Sequence, residues 1–379
     1  MFASRAFDTK SLKKVIIFQT CLFFSSFFSQ LNTSYFFLPG SLSLFPMIVS
    51  SIHQKSAKLE ISFLICTIYR SLSETKACRT EMLSKNCIEI LYQLLQITSE
   101  DGYRLIIKTL HNMLKIVQFF PSAIFQVAVD IAAELINKSR SKVCQQYCSE
   151  CLYILTNQDK CRKPRIVSKI IISVSKLLVS NDELTQFNSF NSCGNIFFRK
   201  LCEEASELEY LLKKFIECGA MIQDPNAIVG LPLALAKLSQ EEVLFEILMK
   251  HSLIVKILDL SLSILEKNPS SSLVQLSCIV SSCRAAVKIN NLDNERKQKL
   301  SKYLNYYLKS ENEDVLLASI ESIRALIEIN LCTKQLLSDE LLCSISDILT
   351  KVLFFSRIFI HKKIQFVLLY TVFFFNFYL

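Results

Sequence analysis

The chain predicts an all-α fold built as a stack of helical repeats, and three observations predict it. An apolar triplet at i, i+4 and i+7, the spacing that puts three side chains on one face of a helix, occurs seven times. The copies are Ile90/Leu94/Ile97, Ala128/Ala132/Leu135, Ile170/Val174/Leu177, Leu208/Leu212/Phe215, Leu258/Leu262/Leu265, Leu300/Leu304/Tyr307 and Ile345/Leu349/Val352. Their first members are separated by 38, 42, 38, 50, 42 and 45 residues. A two- or three-helix unit that cannot bury its own apolar face would recur at such a period and stack on its neighbours. The other two observations are compositional. Five Gly and seven Pro in 379 residues are too few for a turn-rich β domain. Between residues 55 and 351 there are 36 Lys/Arg against 33 Asp/Glu, a nearly neutral body long enough for a large buried core.

Each element follows from this pattern. Helices are expected over Ala57–Leu72, Glu74–Ser84 and Cys87–Ile97, each closed by polar or Ser-rich positions. Polar punctuation then repeats at Ser99–Gly102, Lys138–Ser141, Ser180–Glu183, Asn268–Ser271 and Ser310–Asp314. These turns open helices that include Tyr103–Val117, Lys142–Leu155, Leu273–Ile289 and Val315–Ile329, because Ser or Asp before an apolar run can satisfy the first unpaired backbone N–H groups. The segment Gln186–Ile196 (QFNSFNSCGNI) has no clear period and is expected to be a loop inserted in the fourth unit.

The junctions between helices carry a family resemblance. Arg79–Leu91 (RTEMLSKNCIEIL), Phe215–Ile222 (FIECGAMI) and Ile247–Ile254 (ILMKHSLI) resemble the place in armadillo and HEAT repeats where a short helix turns into a long one. The armadillo pattern favours a small residue at that turn, which Gly219 supplies, with Asn86 and Ser252 as substitutes. The resemblance covers roughly residues 57–352. It implies an armadillo-like right-handed superhelical solenoid of about seven degenerate repeats, whose concave surface, lined by the third helix of each unit, binds extended peptides or other proteins. Importin-α-like members hold basic peptides with repeated Trp and Asn, and this chain has no Trp. Catenin-like members present a basic groove. Here Lys169, Lys176, Lys256, Lys299 and Lys302 fall on third-helix positions away from the triplets, which would suit an acidic or phosphorylated peptide. The plainer alternative is that these lysines only solvate the helix.

Other function classes find less support. The four His, at 53, 111, 251 and 361, are far apart and in no metal-binding spacing; His111 and His251 read as structural histidines on helices. Gly40, Gly102, Gly194, Gly219 and Gly230 cannot form a phosphate-cradling loop. No catalytic residue set, cofactor site or small-molecule substrate is therefore expected. Of the fifteen Cys, the densest group is Cys144, Cys148 and Cys151, with Cys161 beyond. On one helix the first three cannot all reach one zinc ion, although two of them with Cys161 and a remote ligand could; otherwise they are core residues of a protein in a reducing, cytoplasmic setting. A near-neutral body gives no reason to expect nucleic acid, and no base-reading code recurs along the repeats.

The two ends differ from the middle. Residues 1–54 and 352–379 hold 18 of the 28 Phe and one acidic residue, Asp8. Arg5, Lys10, Lys13 and Lys14 precede an apolar run interrupted by several Ser and by Pro39-Gly40, and Ile364–Leu379 is a 16-residue apolar run after Lys362-Lys363. Three readings stand together: a membrane segment at one or both ends, the C-terminal one as a tail anchor; residues of non-coding character at the edges of a gene; or ordinary hydrophobic packing. The chain thus divides into an N-terminal segment 1–54, a repeat region 55–351 and a C-terminal tail 352–379.

Overall fold

The computed structural model describes residues 55–328, apart from short breaks at 85, 116–121, 159–162, 199–204, 225–229, 241, 251 and 290–291, together with 343–346. Both Phe-rich ends, His251, Cys161 and two members of the seventh triplet, Leu349 and Val352, lie outside the described residues. Among those described there are helices and no strand. In chain order they are α1 (Lys55–Leu72), α2 (Lys76–Ser84), α3 (Cys87–Leu95), α4 (Glu100–Leu114), α5 (Ser122–Lys138), α6 (Lys142–Thr156), α7 (Pro164–Leu178) and α8 (Glu183–Phe198). There follow α9 (Ala205–Met221), α10 (Gly230–Gln240), α11 (Glu242–Lys250), α12 (Ile254–Glu266), α13 (Ser272–Lys288), α14 (Asn294–Tyr307) and α15 (Glu313–Glu328). The chain forms two units that divide at Thr185/Gln186, inside α8.

Within the first unit the helices form two layers. The triplet-bearing helices α3, α5 and α7 pack on one another in sequence, and α1, α4 and α6 do the same behind them. The second unit repeats the arrangement, with α9, α12 and α14 as triplet-bearing helices and α10, α13 and α15 as the other layer. Of the 19 described triplet residues all are buried except Ile97, which is half-buried. The recurring interval is therefore the register of an all-α helical repeat, and within each unit successive triplet-bearing helices pack on one another.

The irregular intervals have a local cause. Two repeats carry a third, nine-residue helix, α2 ahead of α3 and α11 ahead of α12. The second of these stretches the spacing from Leu208 to Leu258 to 50 residues. Both short helices lead into a residue with left-handed backbone, Asn86 (φ 54°) and Ser252 (φ 55°), which redirects the chain into the following helix. Gly219 does not do this. It lies inside α9, where a Cβ would come within 3.1 Å of Leu231 and Leu260, so its smallness serves close packing and not a turn.

Two further expectations are corrected. Gln186–Ile196 is no loop: it belongs to the helix α8, in which Phe190, Cys193, Ile196 and Phe197 are buried along with Asn188, Ser189, Asn191, Ser192 and Asn195. A helix enclosed on most sides has no wet face to impose a period on its sequence. Phe190 and Phe197 meet Phe215 of α9 edge to face, at centroid distances of 5.3 and 5.5 Å. A Cβ at Gly194 would stand 3.2 Å from the Ala234 backbone of α10. Of the expected Ser or Asp caps, the Ser ones differ: Ser99, Ser141 and Ser271 sit at N-cap positions without a side-chain cap hydrogen bond. Asp182 caps as expected, accepting from the Thr185 N–H (3.0 Å), and Asp293 accepts from the Arg296 N–H (2.9 Å) and Asn312 from the Val315 N–H (3.1 Å).

Candidate interaction face

Burial of the triplets turns the opposite side of each triplet-bearing helix outward, and this side is the candidate site. Its polar side chains are mostly bonded to the neighbouring repeat. Gln96, which follows α3, donates to Glu134 of α5 at 3.0 Å, and Lys138 adds an ion pair to the same carboxylate at 2.7 Å. Burial opposes ionisation of Glu134, but these bonds outweigh it and hold the carboxyl below its ordinary range. In the second unit Arg296 of α14 grips Asp259 of α12 through two parallel bonds of 2.6 and 2.8 Å.

The five lysines singled out from sequence fall into three situations. Lys169 is ion-paired with Asp130 of α5, and Lys176 donates to the Asn137 side-chain oxygen at 2.5 Å. Lys299 is paired with Glu295, one turn earlier on its own helix, at 2.9 Å. Lys256 is exposed, and Lys302 is exposed with its ammonium 5.7 Å from the Tyr303 ring centroid. Lys169 and Lys176 share a face in the first unit, and Lys256, Lys299 and Lys302 lie on α12 and α14 in the second. A cleft of about 270 Å³ between α12 and α14 is lined by Asp259, Glu266, Glu295, Arg296 and Lys299, so that stretch is of mixed charge and not a basic track.

Sequence reasoning missed the apolar members of this face. Tyr92, Ile172 and Tyr210 each stand two residues after the first triplet member of their helix and are 36, 46 and 48% exposed. Their common offset was a usable signal. A second missed signal is the separation of polar partners. Asn112 and Ser73, Ser139 and Glu100, Gln146 and Asp182, Lys237 and Asn195, and Ser344 and Asn305 are bonded across 36 to 42 positions, the repeat period itself.

On the other layer, His111 of α4 is buried with Nε2 2.5 Å from Glu150 of α6. The imidazole holds the Glu150 carboxyl below its ordinary range against the opposing effect of burial. Tyr147 lies edge-on to His111 at 5.1 Å, with Lys108 5.5 Å from its ring. Cys144, Cys148 and Cys151 are buried on α6, and burial pushes all three thiols up, which keeps them protonated and unreactive. Among the described residues no group of three or more His, Cys, Asp or Glu is arranged to hold a metal ion, and no helix is long and apolar enough to cross a membrane.

No protein-family model matches the chain, and no curated protein matches it. Among solved structures, an engineered protein aligns over 98% of this chain and 97% of its own with a TM-score of 0.52 at 13% identity. That is a likeness of fold. A designed armadillo repeat protein in complex with the peptide (KR)4 aligns over 68% of this chain and 97% of its own, at 14% identity and a TM-score of 0.39. A second designed armadillo repeat protein aligns over 74% of this chain and 99% of its own, at 16% identity and a TM-score of 0.38.

Proposed function

We propose that the chain is a non-catalytic, cytoplasmic interaction scaffold whose triplet-bearing helices hold an extended, acidic segment of a partner protein. One observation carries this reading. The described triplet residues other than Ile97 are buried in the core, yet the reverse side of the same helices leaves Tyr92, Ile172, Lys176, Lys256 and Lys302 in solvent. Apolar and cationic groups interleaved along a repeated surface suit a segment with acidic and apolar side chains, since the backbone of an extended peptide can track successive repeats. Thiols buried on helices, Cys144, Cys148 and Cys151 among them, are compatible with a reducing compartment.

Purification of the tagged full-length chain from cells, with and without charge reversal at Lys176, Lys256 and Lys302, tests the proposal. The triple variant should keep its helical circular dichroism and lose most of its co-purifying protein. Undiminished recovery of the same partners would remove this face from consideration.

A further inference from the structure

Two bridges join α5 to α7, alike in spacing and different in charge. Lys169 and Lys176 stand seven residues apart on α7; the side chains they bond, Asp130 and Asn137, stand seven apart on α5, so each bridge spans 39 positions. Two turns separate the bridges on both helices, which places them on the same side of the same helix pair. Ile172 lies between the two lysines and is 46% exposed. α7 itself (PRIVSKIIISVSKLL) contains no acidic residue, so any neutralisation of its ammonium groups must come from outside the helix.

The difference lies in the acceptor. Asn137 gives Lys176 a hydrogen bond and leaves its positive charge in place. Asp130 gives Lys169 a full opposite charge. The Asp130 side chain is only 19% exposed and Lys169 is 38% exposed, so the carboxylate is the more sheltered partner and the ammonium the more accessible one. A carboxylate arriving from solvent would meet Lys169 already occupied and Lys176 still unneutralised.

We infer that Asp130 is an internal competitor: it sits on Lys169 as a partner's carboxylate would, and holds this face below its full positive charge until it is displaced. The inference rests on the reading that this face takes an acidic segment. Displacement exchanges one carboxylate for another at Lys169 and yields little net affinity, whereas contact with Lys176 adds a new charge pair. Lys176 therefore carries the electrostatic attraction, and Asp130 sets how much of Lys169 is added to it. Asp130→Asn would make the first bridge chemically like the second.

The test is a fluorescence-anisotropy titration of a labelled oligoglutamate peptide with the full-length chain at low salt. Asp130→Asn is expected to tighten binding roughly two- to five-fold, the scale of an exposed ion pair, and Lys176→Gln to weaken it by a similar factor. Adding Lys169→Gln to Asp130→Asn should abolish the gain. Unchanged or weaker binding by Asp130→Asn, with wild-type binding intact, overturns the competitor role and spares the acidic-partner reading. Absence of peptide binding by both wild type and Asp130→Asn overturns the two together. Should Asp130→Asn unfold, as judged by circular dichroism, Lys169→Gln in the wild-type background decides: its loss should cost less affinity than the loss of Lys176, and an equal or larger cost overturns the inference.

Discussion

α7 and α8 follow one another in the chain and teach opposite lessons about how a sequence shows its helices. α7 begins with Pro at its first position and buries Ile166, Val167, Ile170, Ile171, Val174, Leu177 and Leu178 while Lys169, Ile172 and Lys176 face outward. Its two sides differ in chemistry, so a 3.6-residue period is written into it. In α8, Asn188, Ser189, Asn191, Ser192 and Asn195 are buried along with Phe190 and Phe197. The Ser192 hydroxyl donates to the Asn188 carbonyl at 2.8 Å, and Asn195 accepts from Lys237 of α10 at 3.0 Å. Buried polar side chains bonded in this way do not break a helix; they only hide it.

The comparison breaks most readily at the aromatic contact. Phe215→Ala removes the ring against which both Phe190 and Phe197 of α8 pack, and should cost about 3–5 kcal/mol, about as much as Ile170→Ala, whose side chain is fully buried on α7. Urea unfolding of the two variants measures both; a loss below about 1 kcal/mol for Phe215→Ala would mean that α8 is not the packed element described. Gly194→Val tests the close approach to α10 and should cost about 1–3 kcal/mol by overpacking, read as a lowered thermal midpoint.

The smallest effect concerns how the two helices start. α7 has Lys163 at its N-cap with no side-chain bond, whereas α8 is capped by Asp182, which also accepts from Gln146 at 3.0 Å and pairs with Lys142 at 2.9 Å. Burial works to raise the Asp182 pKa, but Lys142, Thr185 and Gln146 together bring it down to about 2. A carboxyl depressed in the folded state stabilises it fully above the unfolded value near 4 and loses that contribution as pH falls from about 4 to about 2. Asp182→Asn should therefore flatten the stability profile in that window while costing about 1 kcal/mol or less at neutral pH. A profile identical to wild type across the window would show that the carboxylate is not engaged.

Legibility of the fold followed the same division. The triplets on α5, α7, α12 and α14 placed their helices and their buried faces, because one side of each helix meets water. The short helices α2 and α11 were legible through the small or polar residues at their ends, Asn86 and Ser252, which tolerate positive φ. Gly219 misled, since glycine serves a turn and a close helix contact equally well and sequence does not say which. The Ser residues at helix starts misled for a related reason: Ser141 accepts from the Arg104 side chain of α4, one repeat away, instead of capping its own helix. The candidate face was legible in position and not in state. Lys169 and Lys176 look equivalent in sequence, and their difference depends on residues 39 positions away.

The amino-acid order alone determined the helical class, the repeat interval and which side of most helices is buried, because those properties arise from spacing along one helix and the transfer of apolar groups out of water. Which lysines are neutralised, which glycine packs and which polar helix is enclosed were decided only by the stacking of repeats, because each depends on a neighbour brought close by the fold and not by the chain.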